Sequence, residues 1–376
     1  MSIGVIIVHY HTVDLLCRAV ASLKNELVDN DLKADILVVD NGSTTAERDI
    51  ITQLPIRYID AGCNMGYAGA INLGVSQTDA DIIVLMNADV EFLPGCLATL
   101  LQALATNADV VGPKLYLDPQ KVVMLPPTER YNRFDDLIRQ LAKYGEKWAE
   151  FARGRWRHHA RKHWQANASI STVNLSGALL VLQRRVWDTV GPFDEGFKLY
   201  FEEVDWLRRL QQKGLTGYYV PDAEAIHYYN QSAVYQPDVS RWFAESAQRF
   251  GRRYYGAWFL AATYHMFRHR AARLSKVPQL PAGIPLIELS GLTDTAQKPL
   301  WIELAGSPLG FPAGAARIAP EQLSWRLPAA VWEKLAPGTY HLQVVDSCGH
   351  ELKRVSFERP IVVLEQNQLG DEVAHD

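Results

Sequence analysis

Two polar residues follow an apolar run at a spacing that suits a shared ligand. Residues 82–86 are apolar throughout, and Asn87-Ala88-Asp89 comes directly after them. Side chains two residues apart leave an extended chain on the same side, and hard divalent cations prefer oxygen ligands. Asn87 and Asp89 are therefore candidates for a site that holds a cation and a phosphate. The alternative is that Asn-Ala-Asp forms only a turn or a helix N-cap.

A second group of chemistry-bearing residues is acidic. Glu202, Glu203 and Asp205 fall within four residues, near the start of a helix that the pattern predicts over residues 203–213. Neighbouring carboxylates repel one another, and a helix N-terminus offsets only part of that repulsion. We therefore expect one carboxylate of this group to have a raised pKa, as a general base that works near neutral pH requires.

Other predicted strands also end in polar residues. The first strand ends at His9-Tyr10, and a later apolar run ends at Asp40-Asn41-Gly42. An acid at the carboxyl end of a strand can bind a nucleobase or ribose while the loop receives phosphate, although an Asx turn explains the same residues. His227 follows a short strand, residues 217–220, and either completes the coordination begun by Asp89 or is structural.

A glycine-punctuated segment leads into a predicted helix. Residues 64–74 read Asn-Met-Gly-Tyr-Ala-Gly-Ala-Ile-Asn-Leu-Gly. The segment lacks the G-x-G-x-x-G spacing of a dinucleotide site, which argues against a nicotinamide enzyme. Small residues let a helix end approach a ligand closely, and close packing of the helix on the sheet is the alternative.

The order of the predicted elements indicates a parallel sheet covered by helices. Over residues 1–118, short apolar runs alternate with helical periodicity, and strands buried on both faces read as continuous Val, Ile and Leu. The predicted strands are residues 3–8, 36–39, 56–59 and 82–86, and the predicted helices are residues 13–27, 68–75 and 94–104.

Two later stretches are basic and aromatic. Residues 130–162 contain ten Lys or Arg against four acids, which predicts either a solvated helical face or a basic platform for something anionic. Residues 252–276 contain six Lys or Arg and no acid, with aromatic residues among them. This second stretch either lies on an anionic bilayer surface or packs its aromatic residues onto the rest of the protein.

The last part of the chain has a different pattern. A long helix is predicted over residues 239–273, and Pro278, Pro281 and Pro285 then predict a stiff linker. Beyond the linker, short alternating strands punctuated by Gly and Pro predict a β-sandwich of roughly 80 residues. We expect the final dozen residues to be frayed.

The totals exclude several classes of protein. A chain of 376 residues suits two domains, and a formal charge of -4 gives no sign of a nucleic-acid binder. The four cysteines lack the spacing of a zinc site or a disulfide framework, which favours a reducing compartment. We find neither a signal peptide nor an apolar stretch long enough to span a membrane.

The order of the motifs is more specific than any one of them. Asp40-Asn41-Gly42-Ser43, then the glycine segment of residues 64–74, Asn87-Ala88-Asp89, Gly191-Pro192-Phe193-Asp194-Glu195, Phe201-Glu202-Glu203-Val204-Asp205 and His227 follow one another. This order strongly resembles the inverting glycosyltransferases of family 2, and within that family the bacterial rhamnosyltransferases that build surface polysaccharides. The resemblance covers residues 1–235.

The resemblance implies a fold, a donor and a cofactor. The fold is GT-A, the donor is a nucleotide-diphosphate sugar, and the cofactor is a divalent cation, Mg or Mn. Asp89 would hold the metal with His227 as a further ligand. The catalytic base would be the second acid of the pair, Glu203, with Glu202 still a candidate, while Asp205 would orient this segment or the acceptor.

The resemblance also implies a donor-binding set. Asp40 would bind the base or ribose with contacts from His9 and Tyr10, and Arg208 would pair with the acids or the diphosphate. The remaining expected donor-binding residues are Asn64, Gly66, Gly69, Asn72 and Asn87.

One residue departs from the pattern of the family. Where relatives commonly have a first Asp, this chain has Asn87, which keeps an oxygen ligand but removes one negative charge. A hard cation should then bind more weakly and depend more on the phosphates of the donor. We therefore expect metal and donor to bind together.

The predicted fold class is α/β, a GT-A domain with a mostly parallel sheet flanked by helices, followed by a C-terminal all-β sandwich-like domain. The expected divisions are 1–277 for the GT-A domain, 278–285 for a Pro-rich linker, 286–364 for the β-sandwich and 365–376 for a frayed tail. Within the first domain, we expect 1–118 to bind the nucleotide sugar, 119–170 to form the basic and aromatic insertion, and 171–277 to form the acceptor side and C-terminal helix.

The predicted function is an inverting, metal-dependent hexosyltransferase of polysaccharide biosynthesis in the cell envelope. The expected reaction moves L-rhamnose from dTDP-rhamnose to a hydroxyl of a saccharide or polyprenyl-diphosphate-linked acceptor, with UDP-hexoses as the alternative donors. A non-catalytic glycan or nucleotide-sugar binder on the same fold is the alternative of another class. A nucleotidyltransferase is disfavoured because no Gly-rich, basic loop follows the first strand.

The expected setting follows from the acceptor. We expect a cytoplasmic protein, peripheral on the inner face of the cytoplasmic membrane, with no nucleic-acid partner and with a homo-oligomer possible through the C-terminal domain.

Overall fold

The computed structural model describes residues 2–106, 108–172, 174–229, 231–232, 238–267, 274–292 and 297–361. Its N-terminal part alternates strands and helices. The elements are β1 Ile3–His9, α1 Val13–Asp29, β2 Asp35–Asp40, α2 Thr45–Ile51, β3 Arg57–Asp60, α3 Gly66–Ser76, β4 Ile82–Asn87, β5 Val90–Phe92, α4 Cys96–Ala105, β6 Val110–Tyr116, α5 Arg133–Ala142, α6 Glu146–Trp164, β7 Ile170–Ser171, β8 Leu179–Gln183, α7 Arg184–Val190, α8 Glu202–Gln212, β9 Gly217–His227, α9 Val239–Tyr254 and α10 Ala257–Phe267.

These strands form one mixed sheet, in the order β3-β2-β1-β4-β8-β6-β9-β5, with β7 paired to β9. The pairs β1/β2, β1/β4, β2/β3 and β6/β9 are parallel. Strands β5, β7 and β8 run antiparallel to their neighbours. The predicted α/β fold with a mostly parallel sheet is therefore confirmed. The antiparallel strands β5, β7 and β8 lie in the half of the sheet beyond β4.

The sheet is buried on both faces, as its continuous apolar strands predict. In β1, Val5 and Ile7 join one apolar cluster with α1 and α4. Ile6 and Val8 join the cluster on the other face, with α3, α7 and α8. Helices on both faces leave the strand ends as the place where polar side chains can gather.

A C-terminal part follows whose antiparallel sheets are consistent with the expected C-terminal β domain, with one short helix added. Its elements are β10 Leu286–Glu288, β11 Trp301–Ala305, β12 Gly314–Arg317, β13 Ser324–Arg326, α11 Ala329–Lys334, β14 Gly338–Val345 and β15 Glu351–Arg359. An antiparallel sheet, β12-β11-β14-β15, and a two-stranded sheet, β10-β13, enclose a common apolar core.

Two predictions about the connection between these parts are wrong. The predicted linker is paired with β15, because the Leu280 N–H donates to the Ser356 carbonyl at 2.8 Å and the Ser356 N–H donates to the Pro278 carbonyl at 2.9 Å. The predicted long helix is two helices, α9 and α10, which are separated at Gly256 with its positive φ of 88°. Residues 268–273 of that prediction and the predicted frayed tail, 365–376, lie outside the described residues.

The basic face of α6 is buried against the C-terminal part. Arg157 donates from Nε and Nη2 to the two carboxylate oxygens of Glu303 at 2.7 and 2.9 Å. Arg161 donates to the carbonyls of Asp346 and Ser347. These arginines therefore form neither the solvated face nor the anion-binding platform that the sequence suggests, because their acceptors come from β11 and the β14–β15 connection.

Candidate active site

Asp89 and His227 meet at the end of the sheet. Asp89 lies in the turn after β4, and the short β5 then pairs antiparallel with β9, with Val90 opposite His227. This register brings Asp89 Oδ1 to 3.3 Å from His227 Nε2, and both side chains are largely buried. The structure thus brings together the two residues expected to hold a metal, although the sequence did not predict the strand that joins them.

Asn87 offers a buried oxygen without a partner. Its backbone N–H donates to the Ala178 carbonyl at 2.9 Å, but its side-chain Oδ1 is buried and has no hydrogen-bond partner. Such an atom is unusual in a folded protein unless a ligand or water completes it. The oxygen is therefore suited to a bound donor or to the cation beside it.

The donor set fits a cation that shares its ligands with a bound phosphate. Within the described ranges, no group of three or more His, Cys, Asp or Glu side chains is arranged to hold a metal ion. Asp89 and His227 supply one carboxylate oxygen and one imidazole nitrogen, and the unpaired oxygen of Asn87 stands two residues away in sequence. Mg or Mn prefers six ligands, most of them oxygen, so diphosphate and water would supply the rest.

The acidic pair opens α8 in an unusual backbone turn. Tyr200 and Phe201 have positive φ values of 65° and 70°, so the chain turns sharply and Glu202 becomes the first residue of the helix. Glu202 is 5% exposed, and Oε2 of both Glu202 and Glu203 is buried without a hydrogen-bond partner. Strain and unpaired polar groups in one segment are typical of functional sites.

The pKa values of both acids are raised. Burial raises the pKa of Glu202 well above its usual range, and the neighbouring charge of Glu203 adds to the effect. Burial also raises the pKa of Glu203, although hydrogen bonds from its own backbone N–H and that of Val204 oppose part of the rise. A carboxylate that takes up a proton readily is what general-base chemistry requires.

Gly177 makes room for Glu203. A Cβ at Gly177 would lie 2.9 Å from Cγ and 3.1 Å from Cβ of Glu203. The Gly177 carbonyl also accepts a hydrogen bond from the Tyr67 hydroxyl at 3.2 Å. The sequence analysis missed this residue; the signal was a glycine just before the buried β8.

Four tyrosines surround the acids. Burial raises the pKa of Tyr67, Tyr131, Tyr200 and Tyr229, and the charge of Glu203 adds to the rise in each. For Tyr67 and Tyr200, Glu202 and Asp89 contribute as well. The charges of Asp89 and of the acidic pair therefore act on the same two phenols, those of Tyr67 and Tyr200.

The loop after β2 is fixed by Asp40. Its Oδ1 accepts from the N–H groups of Gly42 and Ser43 at 3.2 and 2.8 Å, and its Oδ2 accepts from the Tyr58 hydroxyl at 2.6 Å. Burial raises the pKa of Asp40, but these hydrogen bonds outweigh it, so the net pKa is lowered and the group is ionised. Asp40 thus shapes the loop expected to receive the donor.

His9 is buried beside the same loop. The Thr12 N–H donates to its Nε2 at 3.0 Å, so its proton lies on Nδ1 and is donated to Ser43 Oγ at 2.9 Å. Burial lowers the pKa of His9 to about 4, so the ring is neutral. The His9 carbonyl also accepts from the Asn41 N–H at 3.0 Å, while the Tyr10 ring lies nearer the surface, edge-on to His11.

A chain of amides joins this loop to α3. Asn41, which the sequence analysis did not select, donates from Nδ2 to Asn64 Oδ1 at 3.2 Å and accepts from the Met65 N–H at 2.8 Å. Asn64 Oδ1 also accepts from the Gly66 N–H at 2.9 Å. Gly66 has a φ of 78°, and a Cβ there would lie 2.6 Å from the Lys198 carbonyl. Close packing therefore explains this glycine.

Asn72 and Gly69 face the segment before α8. Asn72 donates from Nδ2 to the Phe193 carbonyl and to Glu195 Oε1, and it accepts from the Phe193 N–H. A Cβ at Gly69 would lie 3.9 Å from the Glu195 carboxyl carbon. The amide of Asn72 therefore holds this segment, and its expected donor contact stays a prediction.

Asp205 and Arg208 are also engaged elsewhere. Asp205 accepts hydrogen bonds from Arg209 Nε, Arg253 Nη1 and the Tyr254 hydroxyl. These contacts agree with the orienting role expected of Asp205. Arg208 donates from Nη1 to the Tyr131 carbonyl at 2.8 Å and lies over the Tyr254 ring, and its expected pairing with the acids or diphosphate stays a prediction.

Comparison with known proteins adds independent information. The family model described as Glycosyl transferase family 2 matches residues 4–163. An N-acetylglucosaminyl-diphospho-decaprenol L-rhamnosyltransferase of Mycobacterium tuberculosis is 32% identical over 219 residues, which are 54% of this chain and 69% of that protein. The low-salt glycan biosynthesis hexosyltransferase Agl10 of Haloferax volcanii is 23% identical over 199 residues, 52% of this chain and 59% of that protein. A solved mannosyltransferase of Pyrobaculum calidifontis, in complex with GDP-Man and Mn2+, aligns with 70% of this chain and 69% of its own at 15% identity and a TM-score of 0.44.

Proposed function

The chain belongs to glycosyltransferase family 2, and from this premise we propose that it is an inverting, metal-dependent transferase acting on a lipid-linked saccharide. The observation that supports this most is the pair of buried, unpartnered acids at the head of α8, whose charges act on Tyr67 together with that of Asp89, the partner of His227. A protein that only bound a nucleotide sugar would not need two carboxyl groups with raised pKa values in addition to the proposed metal ligands. The non-catalytic alternative therefore explains less of the site.

Glu203 is the base in this proposal. Inversion requires the acceptor hydroxyl to attack the anomeric carbon from the side opposite the departing diphosphate, so a carboxylate must stand on the acceptor side. Glu203 is partly exposed, whereas Glu202 is buried. Glu203 accepts the hydroxyl proton, and its burial keeps its pKa raised, while the repulsion between the two charges raises the pKa of Glu202.

The leaving side is formed by Asn87, Asp89 and His227. A divalent cation bound there would neutralise charge on the departing diphosphate. Asp89 and His227 orient each other, since their side chains are in contact. The neutral Asn87 supplies an oxygen without a charge, which makes cation binding depend on the donor.

The proposed donor is dTDP-rhamnose. The support is the mycobacterial relative, whose name identifies an L-rhamnosyltransferase that acts on a polyprenyl-diphosphate-linked sugar. UDP-hexoses are the second candidates, because the described contacts of Asp40 and Asn41 shape a loop without specifying a base. A thermal-shift screen of nucleotide sugars with and without Mn would identify the donor, since a ligand that binds the folded state raises its melting temperature.

A lipid-linked acceptor suits the surface of α10. Trp258 is 83% exposed, and Tyr264 and Met266 are also exposed on this apolar helix. Arg268 and Arg270, which follow it in sequence, lie outside the described residues. No helix in the described part of the chain is long and apolar enough to cross a membrane. We propose that α10 rests on the inner face of an anionic membrane, with its aromatic residues at the headgroup level.

Vesicle sedimentation tests this surface. Trp258→Glu should lower binding to vesicles that contain phosphatidylglycerol, while Trp148→Glu, which changes an exposed tryptophan of α6, should leave binding unchanged. Equal vesicle binding by the wild-type protein and both variants would show that α10 is not the membrane-binding surface.

Transfer itself is tested with a radiolabelled donor. The wild-type protein should move the sugar to a polyprenyl-diphosphate-linked N-acetylglucosamine acceptor with inverted anomeric configuration, and turnover should need Mg or Mn. Asp89→Ala should abolish most turnover, and Asp79→Ala, a change at an exposed acid, should not. Retention of configuration, or full turnover in Asp89→Ala, would refute the mechanism.

A further inference from the structure

A second cleft lies between the two parts of the protein. It has a volume of about 820 Å³ and is lined from one side by β6 and the end of α6 and from the other by β11, β12 and β13. This volume falls within the roughly 300–1,000 Å³ of small-molecule sites. None of the residues of the candidate active site lines it. The cleft therefore needs an explanation of its own.

The charges that line the cleft have one sign. Lys114, Lys121, Arg317 and Arg326 line it, and no acidic residue does. Lys121 is paired with Glu224 at 2.7 Å, and Lys114 donates to the Trp164 carbonyl at 3.2 Å. Arg317 and Arg326 are exposed, and no ion pair joins either of them to another residue that the structure describes. Two cations with free guanidinium groups thus face a concave surface in a protein whose net charge is -4.

The floor of the cleft is aromatic. Tyr116, Trp164, Trp301 and Trp325 contribute to it, each 6% exposed or less. Trp164 and Trp301 are stacked, with their ring centroids 6.0 Å apart. The indole N–H of Trp301 is buried and has no acceptor in the described structure. Because the rings are nearly buried and Arg161 lies over Trp301, they form a rigid wall beneath the cleft and leave little open ring surface.

We propose that this cleft binds an acidic saccharide, a sugar chain that carries carboxylate or phosphate groups. The size of the cleft and its two glutamines, Gln165 and Gln322, fit sugar rings with their hydroxyl groups, and the arginines fit their anionic groups. A simple inorganic anion would leave most of this volume empty, and a duplex nucleic acid or a membrane surface would not enter a concave site of this size. The inference rests on the proposed function, because a transferase that acts on a lipid-linked saccharide has saccharides among its ligands.

Calorimetry on the full-length protein tests the cleft without any donor. The probe is tetragalacturonic acid, and its methyl ester serves as the neutral chain of the same shape. The wild-type protein should bind the acid and not the ester. The double variant Arg317→Glu and Arg326→Glu should weaken binding about tenfold or more, because it places like charge against the ligand.

A matched variant controls for net charge. Lys24→Glu with Lys33→Glu reverses two exposed lysines at α1 and just after it and should leave binding of the acid unchanged. Equal weakening in both double variants, equal binding of the ester, or no binding of the acid would overturn the proposal. Transfer by the wild-type protein and by the Lys24 and Lys33 variant, measured in parallel, tests the proposed reaction separately, so failure of the cleft is distinguishable from failure of the proposed reaction.

Discussion

At the scale of single residues, the site is defined by polar atoms that the fold leaves without partners. Asn87 Oδ1 and one oxygen each of Glu202 and Glu203 are buried and unpaired. Leaving such groups unsatisfied costs stability, typically about 1–3 kcal/mol each. These atoms are therefore the ones whose removal should separate activity from stability.

Glu203→Gln should lower kcat by about 10²- to 10⁴-fold, because it removes the group that accepts the proton. The KM for the donor should change little, since the acid stands on the acceptor side. Initial rates at saturating acceptor measure both. Glu202→Gln should cost less, and a larger loss in Glu202→Gln than in Glu203→Gln would reverse the assignment of the base.

Glu202→Gln should also stabilise the protein at neutral pH by about 1 kcal/mol. Burial holds the folded-state pKa of Glu202 above the unfolded value of 4.5. Between these two pKa values the unfolded state loses the proton of Glu202 while the folded state keeps it, so the free energy of unfolding falls as pH rises. The stabilisation by Glu202→Gln should thus be larger at about pH 8 than at about pH 5. Urea unfolding at both pH values measures it, with Glu150→Gln at an exposed site as control. A gain that grows toward low pH would show that burial of the Glu202 charge is not its cause.

At the scale of elements, the site depends on short segments that join distant strands. β5 has three residues, yet its register with β9 places Asp89 beside His227. The segment before β8 supports both Asn87, through the Ala178 carbonyl, and Glu203, through Gly177. Asp194 and Asp205 are held by Arg253 of α9, so the head of α8 is fixed from several sides.

Gly177→Ala should disturb this arrangement directly. The added Cβ would lie 2.9 Å from Glu203 Cγ, so the side chain of Glu203 must shift. A displacement of about 1 Å can cost roughly 10²-fold in rate, and we expect a loss of kcat of that size with a folded protein by circular dichroism. Gly154→Ala, which meets no atom within 4 Å in α6, should retain full activity. Equal activity in the two variants would show that Gly177 does not position Glu203.

Much of the sheet was predictable from the sequence, and its pairing was not. Strands β1, β2 and β4 are continuous apolar runs, and such runs identify buried parallel strands. β5 is too short to show a hydrophobic periodicity. The hydrogen-bond acceptors of Asn72 and Arg208 lie 121 and 77 residues away in sequence. The types of Asp89, Glu203 and His227 pointed to a site. Which polar residues face that site and which bind backbone depends on long-range contacts that no local pattern contains.

At the scale of the whole molecule, the two parts share a core. Trp156 and Trp164 of α6 pack with Trp301 and Phe311 of the C-terminal part, and Met124 pairs with Ala315 across the boundary. The ion pair of Arg157 and Glu303 is buried within this contact. The C-terminal part is therefore integrated with the catalytic part through α6.

Arg157→Met should destabilise the protein by about 3–5 kcal/mol, because it leaves the buried Glu303 carboxylate without its partner. Adding Glu303→Leu should recover most of that loss, and urea unfolding of the single and double variants forms the thermodynamic cycle.

The exposed pair of Arg241 and Asp238 provides the comparison for this prediction. Arg241→Met should change stability by less than about 1 kcal/mol. If Arg157→Met costs no more than Arg241→Met, the buried pair does not hold the two parts together.

The ion pair between α6 and β11 has a consequence for synthesis of the chain. Arg157 and Glu303 are 146 residues apart, and translation at roughly 5–20 residues per second separates their appearance by roughly 7–30 s. During that interval α6 has been made, but the carboxylate that neutralises its buried guanidinium has not. The nascent N-terminal part must therefore keep α6 undocked or solvated until β11 leaves the ribosome.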